Sequence, residues 1–481
     1  MAQCIGMSLS ALIQMIEAHD MMNLIAVPTS TGGAIGGWRH PEAWDNTVMN
    51  LDQMISCAQT AEKGKFDCIF FADGNGVRDI SNPILFEALR DRAASFEPVT
   101  LLSALSQHTT NIGLVATVTT TYEEPYTVAR KFGSLDHLSA GRAGWNIVTT
   151  ARPGDSKNFG RDEHMPREER YPRADEFLDV IKGLWDSWAD DAFVQNRETG
   201  QYLNRTRVRT LNHEGRYLKV KGPLNVSRLP QGYPILFSAG QSERGRELAA
   251  KHADCLFAIC PSKEEGVALR QDMKNRLAKY GRRPETLKVI PGMGAFVGRT
   301  AAEADEYYEQ AGAMITEQVG FNYLASTLSL DLAGCDIDGP VPEIDTSDAS
   351  GATSISRAVA NHIKKNNMTI RQAYQHLILS HNHPIFKGTP TQVAEEMADW
   401  YTSGACDGFL VDSAVQPIGM ERFVDLVVPE LQRMGIFRKA YTGKTLRERM
   451  GLPTPDNQFF PASASRAAEA DGATERHPSN V

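Results

Sequence analysis

The chain has 481 residues, of which 42% are hydrophobic, enough to bury a large core. Its formal net charge of −9 excludes a general nucleic-acid binder, because such a protein needs a basic face for the phosphate backbone. No run of apolar residues approaches the roughly 18 that a membrane-spanning helix requires. We therefore expect a globular protein whose partners are neither nucleic acid nor membrane.

The cysteine pattern indicates the compartment, and the composition of the two chain ends indicates the domain boundaries. The seven cysteines are scattered without a C-x-x-C pair, which predicts reduced thiols and a cytoplasmic location. Residues 1–22 lack the basic start and the apolar run of a signal peptide, so we interpret them as an N-terminal extension. Residues 456–481 are rich in Ala, Ser and charge, which predicts a disordered tail. One large domain, 23–455, lies between them.

From residue 23 onward, short apolar segments alternate with longer amphipathic ones. The apolar segments predict strands over Leu24–Val27, Cys68–Ala72, Ile112–Val118, Ala143–Val148, Ile235–Ser238, Cys255–Ile259, Val289–Val297 and Gly408–Val411. The amphipathic segments predict helices over Leu51–Lys63, Pro98–His108, Pro125–Leu138, Arg173–Trp188, Ser242–His252, 263–279, 301–313, 391–403 and 420–434. Repeated strand–helix units of this kind predict an α/β fold with a parallel sheet.

About eight strand–helix units favour a closed (β/α)₈ barrel of the TIM type over the alternative, an open doubly wound sheet. Two connections are too long for simple crossovers. Residues 151–234 follow the fourth strand, and residues from about 300 to 405 follow the seventh. Long connections in compact domains are usually functional, so we expect both insertions to cover a site.

Polar residues follow three of the predicted strands near their C-terminal ends. These are Asp73 after Phe70-Phe71-Ala72, Thr117 in Gly113-Leu114-Val115-Ala116-Thr117, and Asn146 in Gly144-Trp145-Asn146. In a barrel these ends lie together where ligands bind, so the three side chains are candidates for a ring N–H or hydroxyl contact. The structural alternatives stay open, because aspartate is common in turns and threonine is common in strands.

A candidate anion site follows the predicted strand Ile235–Ser238. Ser242 stands at the start of a helix, where backbone N–H groups and the helix dipole favour a phosphate. Arg167 and Tyr171 precede another helix and could add a cation and a hydroxyl donor. The alternatives are a plain N-cap serine and a charged helix start.

Trp38-Arg39-His40-Pro41 follows the first strand, so His40 is a candidate catalytic residue at the barrel mouth, although a structural histidine is as compatible with the sequence. Three other patterns lack their required partners. Thr31–Gly37 has no Gly-Lys-Ser/Thr of a P-loop, and Gly292-Met293-Gly294 lacks the dinucleotide-binding spacing. His381-Asn382-His383 has no acidic or cysteine ligand at metal spacing, so we expect no metal.

The chain resembles the nitrilotriacetate monooxygenase type of flavin-dependent monooxygenase, within the bacterial-luciferase-like superfamily. The resemblance runs in order over about residues 23–455. Its motifs are Gly37–Pro41, Glu62–Asp67, Phe71–Gly74, Gly141–Asn146, Lys221–Asn225, Ala239–Ser242, Ala405–Phe409, Val428–Gln432 and Thr445–Arg447. Together these motifs are specific, although each one alone is not.

The resemblance implies a barrel that receives FMNH₂ from a separate NAD(P)H:FMN reductase, forms a C4a-(hydro)peroxyflavin with O₂ and oxygenates a small organic substrate. It implies flavin contacts from Asp73, Thr117, Tyr171 and Ser242, with Asn146 close behind, and a homodimer or homotetramer. Arg167 stands where related chains often have histidine, so a catalytic imidazole is absent there while phosphate binding is retained. Two alternatives are a deazaflavin-dependent dehydrogenase and a non-catalytic flavin-binding protein.

Overall fold

The computed structural model describes residues 21–29, 31–45, 48–78, 80–88, 93–150, 152–345 and 354–461, with the backbone alone for 354–358. Most of the predicted N-terminal extension and residues 462–481 of the predicted tail lie outside these ranges. Asn457, within the predicted tail, is buried and donates its side-chain N–H to the carbonyl of Trp188 at 2.9 Å. The packed chain therefore continues a few residues beyond 455.

Eight parallel strands form the centre of the fold. They are β1 Asn23–Ala26, β2 Cys68–Phe71, β3 Gly113–Thr119, β4 Ala143–Val148, β5 Ile235–Ser238, β6 Cys255–Ala258, β7 Lys288–Val297 and β8 Gly408–Asp412. Each strand pairs in parallel with a neighbour on both sides, and β8 closes the ring by pairing with β1. The predicted (β/α)₈ barrel is confirmed, because an open sheet would leave two strands with a free edge.

Helices surround the barrel and build its connections. They span Leu51–Lys63, Pro83–Glu87, Pro98–Leu105, Pro125–Leu138, Arg167–Trp185, Glu243–His252, Lys263–Lys279, Ala301–Ala313, Glu317–Leu328, Ser354–Lys365, Ile370–Ser380, Pro390–Thr402, Ile418–Arg422, Val428–Arg433 and Leu446–Arg449. A π-helical turn at Phe423–Val427 joins two of them. The predicted helices are present, with ends that differ by a few residues.

One helix begins six residues earlier than predicted. The sequence favours a start at Arg173, because Pro172 cannot donate a backbone hydrogen bond, yet the helix begins at Arg167 with Pro172 inside it. Tertiary contacts hold this first segment. Arg170 donates to the backbone carbonyls of Thr149 and Thr150. These contacts join the start of the helix to the end of β4.

The barrel interior is apolar. Phe70 of β2 and Phe237 of β5 meet edge to face with 5.7 Å between ring centroids, and both belong to one buried cluster. Leu446 joins this cluster and lies so close to Gly113, the first residue of β3, that any side chain there would collide with it. The C-terminal segment thus closes the N-terminal end of the barrel, which leaves the C-terminal end for a site.

The two predicted insertions are present after β4 and β7. The first contains the helix Arg167–Trp185 and a two-stranded hairpin, His213–Glu214 with Lys219–Val220. The described residues of the second form five helices and a second buried core, together with a short strand, Ile385–Gly388, which pairs with β7. These three strands were not predicted from the sequence, because segments of two to four residues are too short to show the alternating hydrophobic pattern of a strand.

Among the described residues, every helix is too short or too polar to cross a membrane.

Candidate functional site

Thr117 and Asn146 lie side by side near the C-terminal ends of β3 and β4, as predicted from their positions. Asn146 donates its side-chain N–H to Thr117 Oγ1 at 2.9 Å, and Thr117 donates its hydroxyl to the carbonyl of Phe71 at 2.8 Å. Both side chains are buried, and Asn146 Oδ1 has no hydrogen-bond partner among the residues that the structure describes. A buried acceptor without a partner is costly, which suits a ligand that brings a donor.

A cavity of about 280 Å³ lies at the C-terminal ends of β4 and β5, and we call it the β4–β5 cavity. Asp73 lines it together with Thr149, Tyr171, Ser238 and Gly240. The structure therefore brings two predicted site residues, Asp73 and Tyr171, to one cavity, although they are far apart in the sequence. Ile147 and Val148, which directly follow Asn146, also line this cavity.

The predicted phosphate site lies at one end of the β4–β5 cavity. Ser242 caps the helix Glu243–His252 and accepts from the backbone N–H of Gly245 at 3.3 Å. The hydroxyl of Tyr171 lies 3.3 Å from Ser242 Oγ. Gly240 and Gly245 approach so closely that a Cβ on either would contact the other's backbone. Two hydroxyls and a helix N-terminus thus converge at one point, which suits an oxyanion.

Arg167 is the first residue of the helix Arg167–Trp185, four residues before Tyr171, and its side chain is exposed. Residues four apart share one helix face, so Arg167 lies on the same side as Tyr171. It is not among the described residues that line the β4–β5 cavity. The described cavity is therefore formed without this guanidinium, and a contact of Arg167 with phosphate stays a prediction.

His40 occupies a different place from the other predicted residues. Its Nδ1 accepts the backbone N–H of Glu42 at 3.1 Å, and its ring lies edge to face with Tyr307, 6.1 Å between centroids. It is buried and is not among the described residues that line either mouth cavity. Packing against Tyr307 supports a structural role, whereas the buried Nε2 of His40 has no hydrogen-bond partner among the described residues, so the catalytic role of His40 stays a prediction.

A second cavity, of about 290 Å³, lies at the ends of β1, β2 and β8, and we call it the β1–β8 cavity. Most of its lining is apolar, including Phe71, whose carbonyl accepts from Thr117. Neither Thr117 nor Asn146 is among the described residues that line either cavity. Thr117 bonds to Phe71 of the β1–β8 cavity and Asn146 precedes Ile147 of the β4–β5 cavity, so the pair is adjacent to lining residues of both. The arrangement suits an elongated ligand that places a polar ring beside Asn146 and an anionic end at Ser242.

The β1–β8 cavity contains a hydrogen-bonded histidine–aspartate pair that was not predicted from the sequence. His381 Nδ1 lies 2.6 Å from Asp412 Oδ2, and both residues line the cavity. Asp412 is the last residue of β8, so the rule that selected Asp73 at the end of β2 also applies to it. His381 was considered only as a metal ligand. In the described part of the chain, no group of His, Cys, Asp and Glu side chains could hold a metal ion.

Comparison with known proteins identifies the fold's relatives. The model of the luciferase-like monooxygenase family matches residues 27–407. The chain belongs to this family. It is 43% identical to N-acetyl-S-(2-succino)cysteine monooxygenase of Bacillus subtilis over 430 residues, which cover 89% of this chain and 96% of that protein. It is 42% identical to nitrilotriacetate monooxygenase component A of Aminobacter aminovorans over 448 residues, 92% of this chain and 98% of that one.

Solved structures agree with this assignment. EDTA monooxygenase from Chelativorans sp. BNC1 superposes with a TM-score of 0.74 at 31% identity, over 90% of this chain and 99% of that one. The resemblance inferred from the sequence motifs is confirmed, and the chain is a flavin-dependent monooxygenase. In this luciferase-like monooxygenase, the two cavities and the adjacent polar pair Thr117–Asn146 form the candidate active site.

Proposed function

We propose that this luciferase-like monooxygenase binds FMNH₂ across the mouth of the barrel and oxygenates a small organic molecule with O₂. The observation that carries the proposal is the buried Oδ1 of Asn146, which has no hydrogen-bond partner in the described part of the chain. A carbonyl-type acceptor suits a ring N–H of the flavin. When bound, the reduced flavin supplies the electrons that activate O₂ for transfer of one oxygen atom to the substrate.

The phosphate of FMN would bind at Ser242 and Tyr171. Both hydroxyls can donate to phosphate oxygens, and the N-terminus of the helix Glu243–His252 adds backbone N–H groups. Asp73, which lines the same cavity, would accept hydroxyl groups of the ribityl chain. Arg167 would add long-range attraction from the helix face that it shares with Tyr171. Thr117 would orient Asn146 through their hydrogen bond.

The organic substrate would occupy the β1–β8 cavity, since its apolar lining reaches Phe71 beside the Thr117–Asn146 pair. The pair His381–Asp412 offers this cavity an imidazole whose orientation is set by a carboxylate. Such an imidazole can hydrogen-bond a polar group of the substrate and hold or move a proton there. The insertions after β4 and β7 would limit water at the site, which reduces unproductive oxidation of the flavin.

The chain would receive FMNH₂ from a separate NAD(P)H:FMN reductase. The relative named nitrilotriacetate monooxygenase component A supports this proposal, because that name implies a second component. The six cysteines among the described residues are all free, which is compatible with the proposed cytoplasmic location. A homodimer or homotetramer remains our prediction for the assembly.

Anaerobic titration with FMNH₂, followed by mixing with O₂, tests the proposal. We expect saturable binding and a slower return of the oxidised flavin spectrum than free FMNH₂ shows. Asn146→Leu should weaken FMNH₂ binding about tenfold, because one hydrogen bond to the ring is lost. Turnover assays with an added FMN reductase would then test N-acetyl-S-(2-succino)cysteine and nitrilotriacetate as candidate substrates for oxygenation.

Asn275→Leu, at an exposed position of the helix Lys263–Lys279, is the matched control and should bind FMNH₂ like the unsubstituted protein. Equal affinity in the Asn146 and Asn275 variants would remove Asn146 from the flavin site. Absence of FMNH₂ binding in the unsubstituted protein would overturn the proposed cofactor.

A further inference from the structure

A third cavity, of about 230 Å³, lies between the barrel end and the second insertion, and we call it the cap cavity. Its walls come from the helices Ser354–Lys365 and Ile370–Ser380, the segment after β6, and residues 382–385. Its lining includes Val359, Ile363 and Leu377, all buried. None of its lining residues lines the β1–β8 or the β4–β5 cavity.

Within the described part of the chain, two buried side-chain atoms of residues lining the cap cavity have no hydrogen-bond partner. They are Asn382 Oδ1 and His383 Nδ1, and His383 is only 7% exposed. The His383 ring lies directly on Gly292 of β7 and edge to face with Phe257, 5.5 Å between centroids, so packing fixes its position. Asn382 has a left-handed backbone with φ 67°. Leaving two polar atoms unsatisfied costs stability that a bound partner would recover.

The other polar groups of the cap cavity are two imidazoles. His362 and His376 stack with 4.3 Å between ring centroids. Burial, with a smaller contribution from nearby His362, lowers the pKa of His376 to about 4. Burial likewise lowers the pKa of His383 to about 4. These histidines are therefore neutral near pH 7, so the polar groups described in the lining favour an uncharged ligand.

We propose that the cap cavity is a second binding site, for an uncharged, mainly apolar molecule that carries one hydroxyl group. The hydroxyl would donate to Asn382 Oδ1 and accept from His383 Nδ1–H, while the hydrocarbon part contacts the aliphatic side chains. A hydroxyl is both donor and acceptor, so one group can satisfy both atoms. The volume is sufficient, because an apolar cavity of roughly 150 Å³ accommodates benzene.

The site is linked to the β1–β8 cavity through the chain itself. Asn382 follows His381, whose Nδ1 contacts Asp412, and both residues have a left-handed backbone. A ligand held by Asn382 would therefore lie one residue away from the His381–Asp412 pair. Through this connection, a ligand in the cap cavity can change how substrate binds in the β1–β8 cavity. Binding of that ligand itself requires neither flavin nor turnover.

Calorimetric titration of the full-length protein with phenol and with toluene tests the proposal. The two probes have nearly the same shape, and only phenol carries a hydroxyl. We expect phenol to bind about tenfold more tightly than toluene. Asn382→Gly, which tolerates the left-handed backbone, should reduce phenol affinity about tenfold and leave toluene affinity unchanged.

Asn367→Gly is the matched control, because Asn367 is exposed and also has a positive φ, 47°. It should bind both probes like the unsubstituted protein. Leu377→Trp, checked for folding by circular dichroism, should fill the cavity and abolish binding of both probes. Equal affinity for phenol and toluene, no binding of either probe, or unchanged phenol affinity in Asn382→Gly would each overturn the proposal.

Discussion

The hydroxyl of Tyr171 lies 3.3 Å from Ser242 Oγ, although 71 residues separate them in the chain. Tyr171 belongs to the first insertion, and Ser242 caps the helix that follows β5. Their contact ties the insertion to the barrel at the proposed phosphate site. A bound phosphate would therefore connect two separate parts of the fold.

Removing both hydroxyls should weaken FMN binding. In the double variant Ser242→Ala with Tyr171→Phe, we expect the Kd for FMNH₂ to rise about 100-fold, since two hydrogen bonds to a charged group are lost. Anaerobic fluorescence titration measures this change. Ser262→Ala is the matched control, because Ser262 caps the helix Lys263–Lys279 in the same way. Unchanged affinity in the double variant would refute the phosphate assignment.

A side chain at position 33 should disturb the hydrogen bond between His381 and Asp412. A Cβ on Gly33 would lie 2.5 Å from Asp412 Oδ2, so Gly33→Ala should push the carboxylate away from His381. Because the pair lines the proposed substrate cavity, we expect kcat/KM for the organic substrate to fall at least about tenfold, on the order of 1.4 kcal/mol. The Kd for FMNH₂ should change little.

Gly154→Ala provides the comparison for Gly33, because a Cβ at Gly154 would meet no atom within 4 Å. Steady-state kinetics with an added reductase should show unsubstituted values for this variant. If Gly33→Ala and Gly154→Ala have the same kcat/KM, the His381–Asp412 pair does not take part in substrate turnover.

Asp136 should make stability depend on pH in an unusual direction. Burial raises the pKa of its carboxyl group to about 6, although hydrogen bonds from Gln231 and Ala143 lower it. The folded protein therefore holds this proton more tightly than the unfolded chain, whose ordinary pKa is 3.8. The resulting contribution to the free energy of unfolding falls as pH rises through the window from about 4 to 6.

Comparison with Asp136→Asn isolates this effect. Between pH 4 and pH 7, the free energy of unfolding of the unsubstituted protein should fall by about 2 kcal/mol relative to the variant. Urea denaturation at several pH values measures the difference. Asp162→Asn, at an exposed position, should show no such trend. A constant difference between unsubstituted protein and Asp136→Asn would contradict the raised pKa.

Arg447 should contribute strongly to the stability of the N-terminal end of the barrel, which the C-terminal segment closes. It is 2% exposed, and its two terminal nitrogens contact the two carboxylate oxygens of Asp254 at 3.1 and 2.6 Å. Arg447→Met leaves that carboxylate without its cation, so we expect a loss of about 3–5 kcal/mol in the free energy of unfolding. Urea denaturation measures this loss.

An exposed pair provides the control for Arg447. Arg433 contacts Glu430 at 2.7 Å, but its side chain is 63% exposed. Arg433→Met should cost less than about 1 kcal/mol. Similar losses in the two variants would show that the buried pair has no special role in closing the barrel.

Much of the site followed from local patterns. Apolar strands that end in polar residues placed Thr117 beside Asn146, and the N-cap pattern placed Ser242 at a helix start. The contact of His381 was not predicted in this way, because its acid partner, Asp412, lies 31 residues away in another element. No periodicity signals such a contact, because it depends on how the second insertion folds over β8.

The sequence by itself determined the barrel, the two insertions and the family, because strand and helix periods and short motifs are properties of neighbouring residues. Only the tertiary structure decided which side chains meet. It left Asn146 Oδ1 without a partner, packed His40 against Tyr307 and joined His381 to Asp412. The physical reason is that burial and pairing depend on residues distant in the chain, and their free energies exist only once those residues are brought together.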